Sequence, residues 1–212
     1  MDYIVSDLLG NYPQIISFKK FLIGHPGFIA GGCFRSAFCG ETPKDLDMFF
    51  KDVKEYTEAI RYFETSVKDY ERGYQNHNVE SFIHKSSGIR IECVKKVFGS
   101  PEKILSNFDF TITKFALYTE AEPPEPDEED DSWHYTDFVM YHPSFFEHLV
   151  MKRLVADDKL IYPISSFNRS YKYAKYGFFP CRETKLKMIH ELQAPSKVDD
   201  ADLAKSFYEG VD

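Results

Sequence analysis

Asp45 and Asp47 stand at alternate positions in "KDLDMFF", Lys44 to Phe50, where every residue after Lys44 other than these two is apolar. A period of two is that of a half-buried strand, so both acids share one face while Leu46 and Met48 turn into the core. Two like charges held side by side repel unless cations neutralise them. Two divalent metals about 3.5–4 Å apart would do so while activating a hydroxyl and gripping a triphosphate. Magnesium suits such all-oxygen ligands, with manganese as a substitute.

Upstream, with twelve residues intervening before Asp45, Gly31 and Gly32 end the apolar stretch "FIA". A side-chain-free turn leading into a helix lets backbone N–H groups come close to phosphate oxygens. A third carboxylate, Glu92, falls between Ile91 and Cys93 in "IRIECVKKV". Facing outward from a later strand, it could hold metal or accept the proton of an attacking hydroxyl. Asp109 is the rival third carboxylate, with helix capping or a ribose contact as its alternatives. Arg35 either binds phosphate through its fork of donors or orients Asp45 or Asp47. Arg169, Lys172 and Lys175, at i, i+3 and i+6, share a broad helix face that either holds phosphates or faces solvent.

The rest of the chain reads as an α+β protein. "IISFKKFL", Ile15 to Leu22, is expected to be a short helix, and "FIAGG" a strand running into the glycine turn. After "KDLDMFF" a helix is expected over Val53–Val67, then a hairpin of "VESFIHK" and "IRIECVKKV" around "SSG", and a helix capped by Ser100 with Pro101 at its first position. "FTITKFALY" and "WHYTDFVMY" alternate as strands around "EAEPPEPDEEDD", a solvated hairpin loop with eight acids. Three helical stretches follow, "SFFEHLVMKRLV", "SFNRSYKYAKYGF" and "CRETKLKMIHELQ". The expected division is a mixed sheet with flanking helices over 1–141 and a small, basic, helical part over 142–212.

Composition narrows the function classes. With 43% hydrophobic and 17% aromatic residues against 28% charged, the 212-residue chain is globular rather than disordered. A net charge of −8 argues against wholesale coating of nucleic acid. Yet Lys152 to Lys187 carries nine cations against three anions, a local balance suited to polyphosphate or RNA. No stretch approaches eighteen apolar residues and the N-terminus lacks a basic-then-apolar leader, so neither membrane insertion nor export is expected. Four scattered cysteines, without zinc or C-x-x-C spacing, read as free thiols in the cytoplasm.

The order of these motifs resembles the nucleotidyltransferase superfamily typified by DNA polymerase beta. The nearer likeness is to the head of tRNA CCA-adding enzymes and bacterial poly(A) polymerases. Their glycine pair, arginine, short helix with a glycine, and lysine-aspartate-x-aspartate strand are matched here by Gly31, Gly32, Arg35, Gly40, Lys44, Asp45 and Asp47. "DFTITKFALY", from Asp109, is similar to that family's Asp-Phe-Thr segment, and "RSYKYAKYGF", from Arg169, to its Arg-x-x-Arg-Phe-Ala helix. The chain departs from the pattern at Ser36, Asn107 and Phe108 and carries no Glu-Asp-x-x-Arg motif.

The resemblance implies a metal-dependent transferase moving a nucleoside monophosphate from an NTP to an acceptor hydroxyl and releasing pyrophosphate. Asp45, Asp47 and Glu92 would hold two magnesium ions, and Gly31, Gly32, Arg35, Lys44, Asp109, Arg169 and Lys172 would bind the nucleotide. The acceptor implied is an RNA 3′ end, with a protein hydroxyl, as in toxin-type members, as the alternative. A catalytically degenerate module that binds nucleotide or RNA is the non-enzymatic reading, and its mark would be binding without pyrophosphate release.

Overall fold

A computed structural model describes residues 2–122, 133–157 and 160–193. The chain divides into two compact units, 1–106 with 113–143, and 107–112 with 144–212. The acidic loop expected between two strands falls mostly on residues 123–132, outside the described ones.

The first unit is built on an eight-stranded mixed sheet. In chain order its strands are β1 (Ile4–Ser6), β2 (Phe28–Ala30), β3 (Asp45–Phe49), β4 (Tyr70–Gln75), β5 (Val79–His84), β6 (Arg90–Val94), β7 (Phe115–Glu122) and β8 (His134–Tyr141). They lie in the order β1-β8-β7-β2-β3-β6-β5-β4. Among these strands only β3 and β6 pair in parallel. The helices of this unit are α1 (Gly32–Phe38), α2 (Val53–Thr65) and α3 (Pro101–Ser106). An α+β mixed sheet with flanking helices is therefore the architecture, as the sequence pattern predicts.

Central strands are buried on both faces: Phe28, Ile29 and Ala30 of β2 are no more than 2% exposed. Placing them inside fixes the sheet's centre, because each fully buried large apolar side chain contributes about 1.5–3 kcal/mol. α2 lays Phe63 against β5, its ring stacked on Phe82 at 5.0 Å and edge-on to Tyr70 at 4.9 Å. Its start is set by Asp52, whose Oδ1 accepts from the Glu55 N–H at 2.9 Å while Glu55 reaches back to the Lys51 N–H at 2.8 Å. The first bond satisfies a donor that a helix end leaves orphaned, and the second ties the residue before the cap to the first turn.

Several local readings differ from expectation. The helix expected over Ile15–Leu22 is a 3-10 helix, Pro13–Phe21. Its buried residues Ile15, Phe18 and Phe21 recur every third position, and three residues per turn stacks them in a single row where 3.6 would spread them over a broader face. "FTIT" opens with a short 3-10 turn at Thr111–Thr113 rather than strand, and β7 begins at Phe115. β4 was not anticipated: "YERGYQ" carries charges and Gly73, and its pairing with β5 is irregular between Arg72 and Gln75. At Gly73 a Cβ would lie 2.5 Å from Ser81 Oγ, so glycine is needed for the strands to approach there.

The second unit contains α4 (Phe145–Val150), α5 (Pro163–Lys175) and α6 (Arg182–Gln193), with β9 (Arg153–Leu154) and β10 (Phe179–Pro180) in a short parallel pair. "MKRLV" thus leaves the helix expected through it and becomes strand at Arg153. Tyr173 of α5 meets Phe110 edge-on at 5.5 Å, and Phe178 is fully buried beneath Lys152, whose ammonium is 4.4 Å from the ring centroid. No helix among the described residues is long and apolar enough to cross a membrane. Cys33, Cys39, Cys93 and Cys181 are unbridged.

Candidate active site

The site begins where β2 ends. Gly31 has φ 106° and ψ −149°, a backbone region essentially restricted to glycine. Its N–H donates to the Phe115 carbonyl at 3.0 Å, which pins the turn to β7 before α1 starts at Gly32. On the other side of β2, β3 runs antiparallel with Ile29 opposite Met48, so the N-terminal half of β3 lies at the end of the sheet where β2 turns into α1.

Along β3, Leu46 and Met48 are buried, while Asp45 is exposed and Asp47 half-exposed. The alternation puts both carboxylates on the face away from the core. Cys33 shows how near this face is to the glycine turn. Burial pushes its thiol well above the usual range, and the charges of Asp47 and, more weakly, Asp45 push it further. A buried thiol of that kind is inert packing rather than a nucleophile.

β6 supplies the third acid through register. In the parallel ladder Asp45 is opposite Arg90 and Asp47 opposite Glu92, so both β6 side chains stand on the carboxylate face. Arg90 Nη1 lies 3.5 Å from Asp45 Oδ1. From the edge strand β4, the Tyr74 phenol donates to Glu92 Oε1 at 2.7 Å, and the Arg90 guanidinium lies 5.4 Å from the Tyr74 ring centroid. Partial desolvation, then the hydrogen bond and charge of Glu92, hold that phenol well above its usual range, so it stays a donor.

The expected nucleotide ligands divide into several groups. Lys44 precedes Asp45, its side chain exposed and its carbonyl accepting from the Arg90 N–H at 3.0 Å. Arg35 is buried in α1, donating to Ser36 Oγ at 2.7 Å and to Glu41 Oε2 at 3.4 Å. These bonds give Ser36, where the family pattern has an acid, a partner in the arginine beside it. Asp109 and Arg169 belong to the second unit, where Asp109 Oδ2 accepts from Arg169 Nε at 2.9 Å and Nη2 at 2.6 Å. Lys172, one turn on along α5, is exposed.

Sequence reasoning passed over Arg90 and Tyr74. Arg90 was within reach of it, because a residue two before Glu92 on a strand must share its face. Tyr74 was not, because it lies on the unanticipated β4.

Among the described residues no group of three or more His, Cys, Asp and Glu side chains is gathered as a ready cage for a metal. Asp45 and Asp47 nonetheless fit a hard divalent cation of the magnesium type, which keeps waters and takes one or two carboxylates plus substrate phosphates rather than a complete protein cage. The mixed sheet with its flanking helices has a fold similar to that of solved CCA-adding enzymes. It is similar to a CCA-adding enzyme in complex with ATP (TM-score 0.61, 18% identity, 99% of this chain and 50% of that one). It is also similar to a CCA-adding enzyme with CTP (0.58, 16%, 97% and 51%) and to a tRNA nucleotidyltransferase complexed with a primer tRNA and an incoming ATP analogue (0.56, 14%, 91% and 54%). The chain spans about half the length of these proteins. No curated protein matches it. Residues 10–152 match the Gabija anti-defense 2 family, and the chain belongs to that family.

Proposed function

We propose that this protein is a nucleotidyltransferase that moves a nucleoside monophosphate from an NTP to an acceptor hydroxyl, in which 1–141 carries the chemistry and the basic stretch from 142 supports it. The observation that carries the reading is the placement of Asp45 and Asp47 on one face of β3, with Glu92 in register beside them and the Gly31–Gly32 turn adjoining. In the reaction the acceptor oxygen bonds to the α-phosphorus as the bond to the β-phosphate bridging oxygen breaks, releasing pyrophosphate. Two magnesium ions, or manganese in their place, would supply charge neutralisation and Lewis acidity at Asp45 and Asp47.

The chain's own groups do the rest. With the Gly31 N–H tied to the Phe115 carbonyl, the turn presents the Gly32 N–H at the start of α1 to phosphate oxygens, and Lys44 adds a cation beside the acids. Glu92, oriented in part by the Tyr74 phenol, takes the hydroxyl proton. Arg35 orients the start of the site through Ser36 and Glu41 rather than binding substrate. Arg169 and Lys172, with the other cations of α5, offer the acceptor's backbone a basic face, for which an RNA 3′ end is the fitting class.

A second reading of the acceptor comes from the family description, which names an anti-defense role against Gabija. A hydroxyl side chain on a defence protein would then receive the nucleotide. Either activity belongs in the cytoplasm, where four unbridged thiols persist.

The test is incubation with each labelled NTP, magnesium, and total RNA or a lysate of cells carrying a Gabija system, beside Asp45→Ala and Asp47→Ala controls. Label on RNA that both controls lose supports the first acceptor, and label on a protein band supports the second. Nucleotide binding without label or pyrophosphate release would overturn the enzymatic reading in favour of a degenerate binding module.

A further inference from the structure

Arg90 holds two positions at once. Its Nη1 is 3.5 Å from Asp45 Oδ1, a loose ion pair with the two side chains 40% and 48% exposed. Its Nε is buried and makes no hydrogen bond among the described residues, so Asp45 uses only part of its donor capacity. The same residue lines a recess of about 440 Å³ with Lys44, Thr42, Ser87 and Gly88. That lining offers two cations and two hydroxyls beside Asp45, and the Gly88 backbone is open, with nothing within 4 Å of where a Cβ would sit. The recess opens between β3 and the β5–β6 turn, on the side of Asp45 away from β2 and its glycine turn.

Neutralising the acid pair is the problem that this placement answers. In the absence of a divalent cation, Asp45 and Asp47 repel, and Arg90 is the cation standing in register with the first of them. An exposed pair of this length is weak enough to exchange. Once a divalent cation takes Asp45, the guanidinium is left beside a recess whose other donors suit phosphate oxygens, which it can grip with two parallel N–H groups.

We propose that Arg90 is an exchangeable counter-ion, pairing with Asp45 until a divalent cation binds and then turning to a phosphate seated in the recess lined by Lys44, Thr42 and Ser87. This rests on reading the acid pair as a divalent-cation site. It makes cation binding and phosphate binding cooperative through one side chain, and it gives the site a phosphate subsite separate from the glycine turn.

The experiment reads two binding constants that a merely structural arginine would not move in opposite directions. Manganese binding to the full chain is followed by the electron paramagnetic resonance of free Mn²⁺. Tripolyphosphate, a probe with no base, is then titrated calorimetrically at saturating Mn²⁺. Arg90→Gln is expected to bind Mn²⁺ alone about two- to fivefold more tightly, because the competing cation is gone. It is expected to bind tripolyphosphate about tenfold more weakly. Arg90→Lys, which keeps the charge but loses the fork, should fall between Arg90→Gln and the parent in both. Lys44→Gln should weaken tripolyphosphate without tightening Mn²⁺. Unchanged constants in Arg90→Gln, or both weakened together, in a parent protein that binds both probes, would overturn the counter-ion role alone. A parent protein that binds neither probe would remove the metal-site reading and this inference with it.

Discussion

Tyr74 reaches across β5 from the sheet edge to donate to Glu92 on β6, at 2.7 Å from Oε1. The bond engages one carboxylate oxygen and fixes the orientation of the other, which is what a proton acceptor beside a reacting hydroxyl requires. Tyr74→Phe keeps the ring against Arg90 and removes only the donor. Transfer is expected to fall about tenfold, the cost of losing a hydrogen bond to a charged group, while the melting temperature hardly moves because Tyr74 is 42% exposed. Steady-state transfer rates beside a thermal melt check it, and an unchanged rate would remove Tyr74 from any orienting role.

Asp45→Asn and Asp47→Asn are each expected to reduce transfer by about a thousandfold or more, since each removes a ligand charge from the reacting centre. Neither should unfold the protein. Both side chains lie on the solvent face of β3 while Leu46 and Met48 keep the core, and removing one of two neighbouring like charges relieves repulsion. A rate assay paired with a denaturant titration separates the two effects. Loss of both activity and stability would make the pair structural.

Gly31→Ala confronts a backbone at φ 106° and ψ −149°. Strain of about 1–3 kcal/mol is expected, and the turn that joins β2 to α1 should shift with it. Denaturant unfolding should show the stability loss, and weakened NTP binding should accompany it. A variant as stable as the parent would mean that the turn can relax without cost.

What the sequence disclosed and what it hid follow from the range of the interactions. The acid pair, the glycine turn and the alternation of β3 are local, written in periods of two and in residue types, and they were legible. That Glu92 stands opposite Asp47 depends on the register of two strands some forty residues apart, which no local period encodes. Tyr74 was hidden for a further reason: an edge strand with one face in solvent and a glycine in its middle has no apolar alternation to read. The Pro13–Phe21 segment misled because positions i and i+3 share a face in an α-helix and in a 3-10 helix alike.

Arg169 and Asp109 make a prediction about stability rather than chemistry. Asp109 is 8% exposed, and two donors of one guanidinium meet one of its oxygens. Arg169→Ala strands that carboxylate in a desolvated place. The second unit is expected to lose about 1–3 kcal/mol, less than a fully buried pair would, because the Arg169 side chain is 43% exposed. Asp109→Asn, which can still accept from the guanidinium, should lose less. If Arg169→Ala instead left stability intact and abolished nucleotide binding, Arg169 would be a ligand and its pairing with Asp109 incidental.

Acid sensitivity follows from His25. Its ring packs 4.8 Å from the Tyr62 ring and 4.6 Å from that of Phe63, and burial lowers its pKa below 6.5, opposed in part by the hydrogen bond at the Pro26 carbonyl. Burial lowers His84 and His148 in the same direction. The folded state therefore favours neutral rings, while the unfolded chain takes up protons from about pH 6.5 downward. Where the unfolded state binds more protons, stability rises with pH, so this contribution is full above pH 6.5 and is lost as pH falls through the folded-state values. Melting temperature should drop between pH 7.5 and pH 5, and the drop should be shallower in His25→Gln, which has no proton to gain. An equal slope in the two proteins would place the acid sensitivity at His84, His148 or the carboxylates instead.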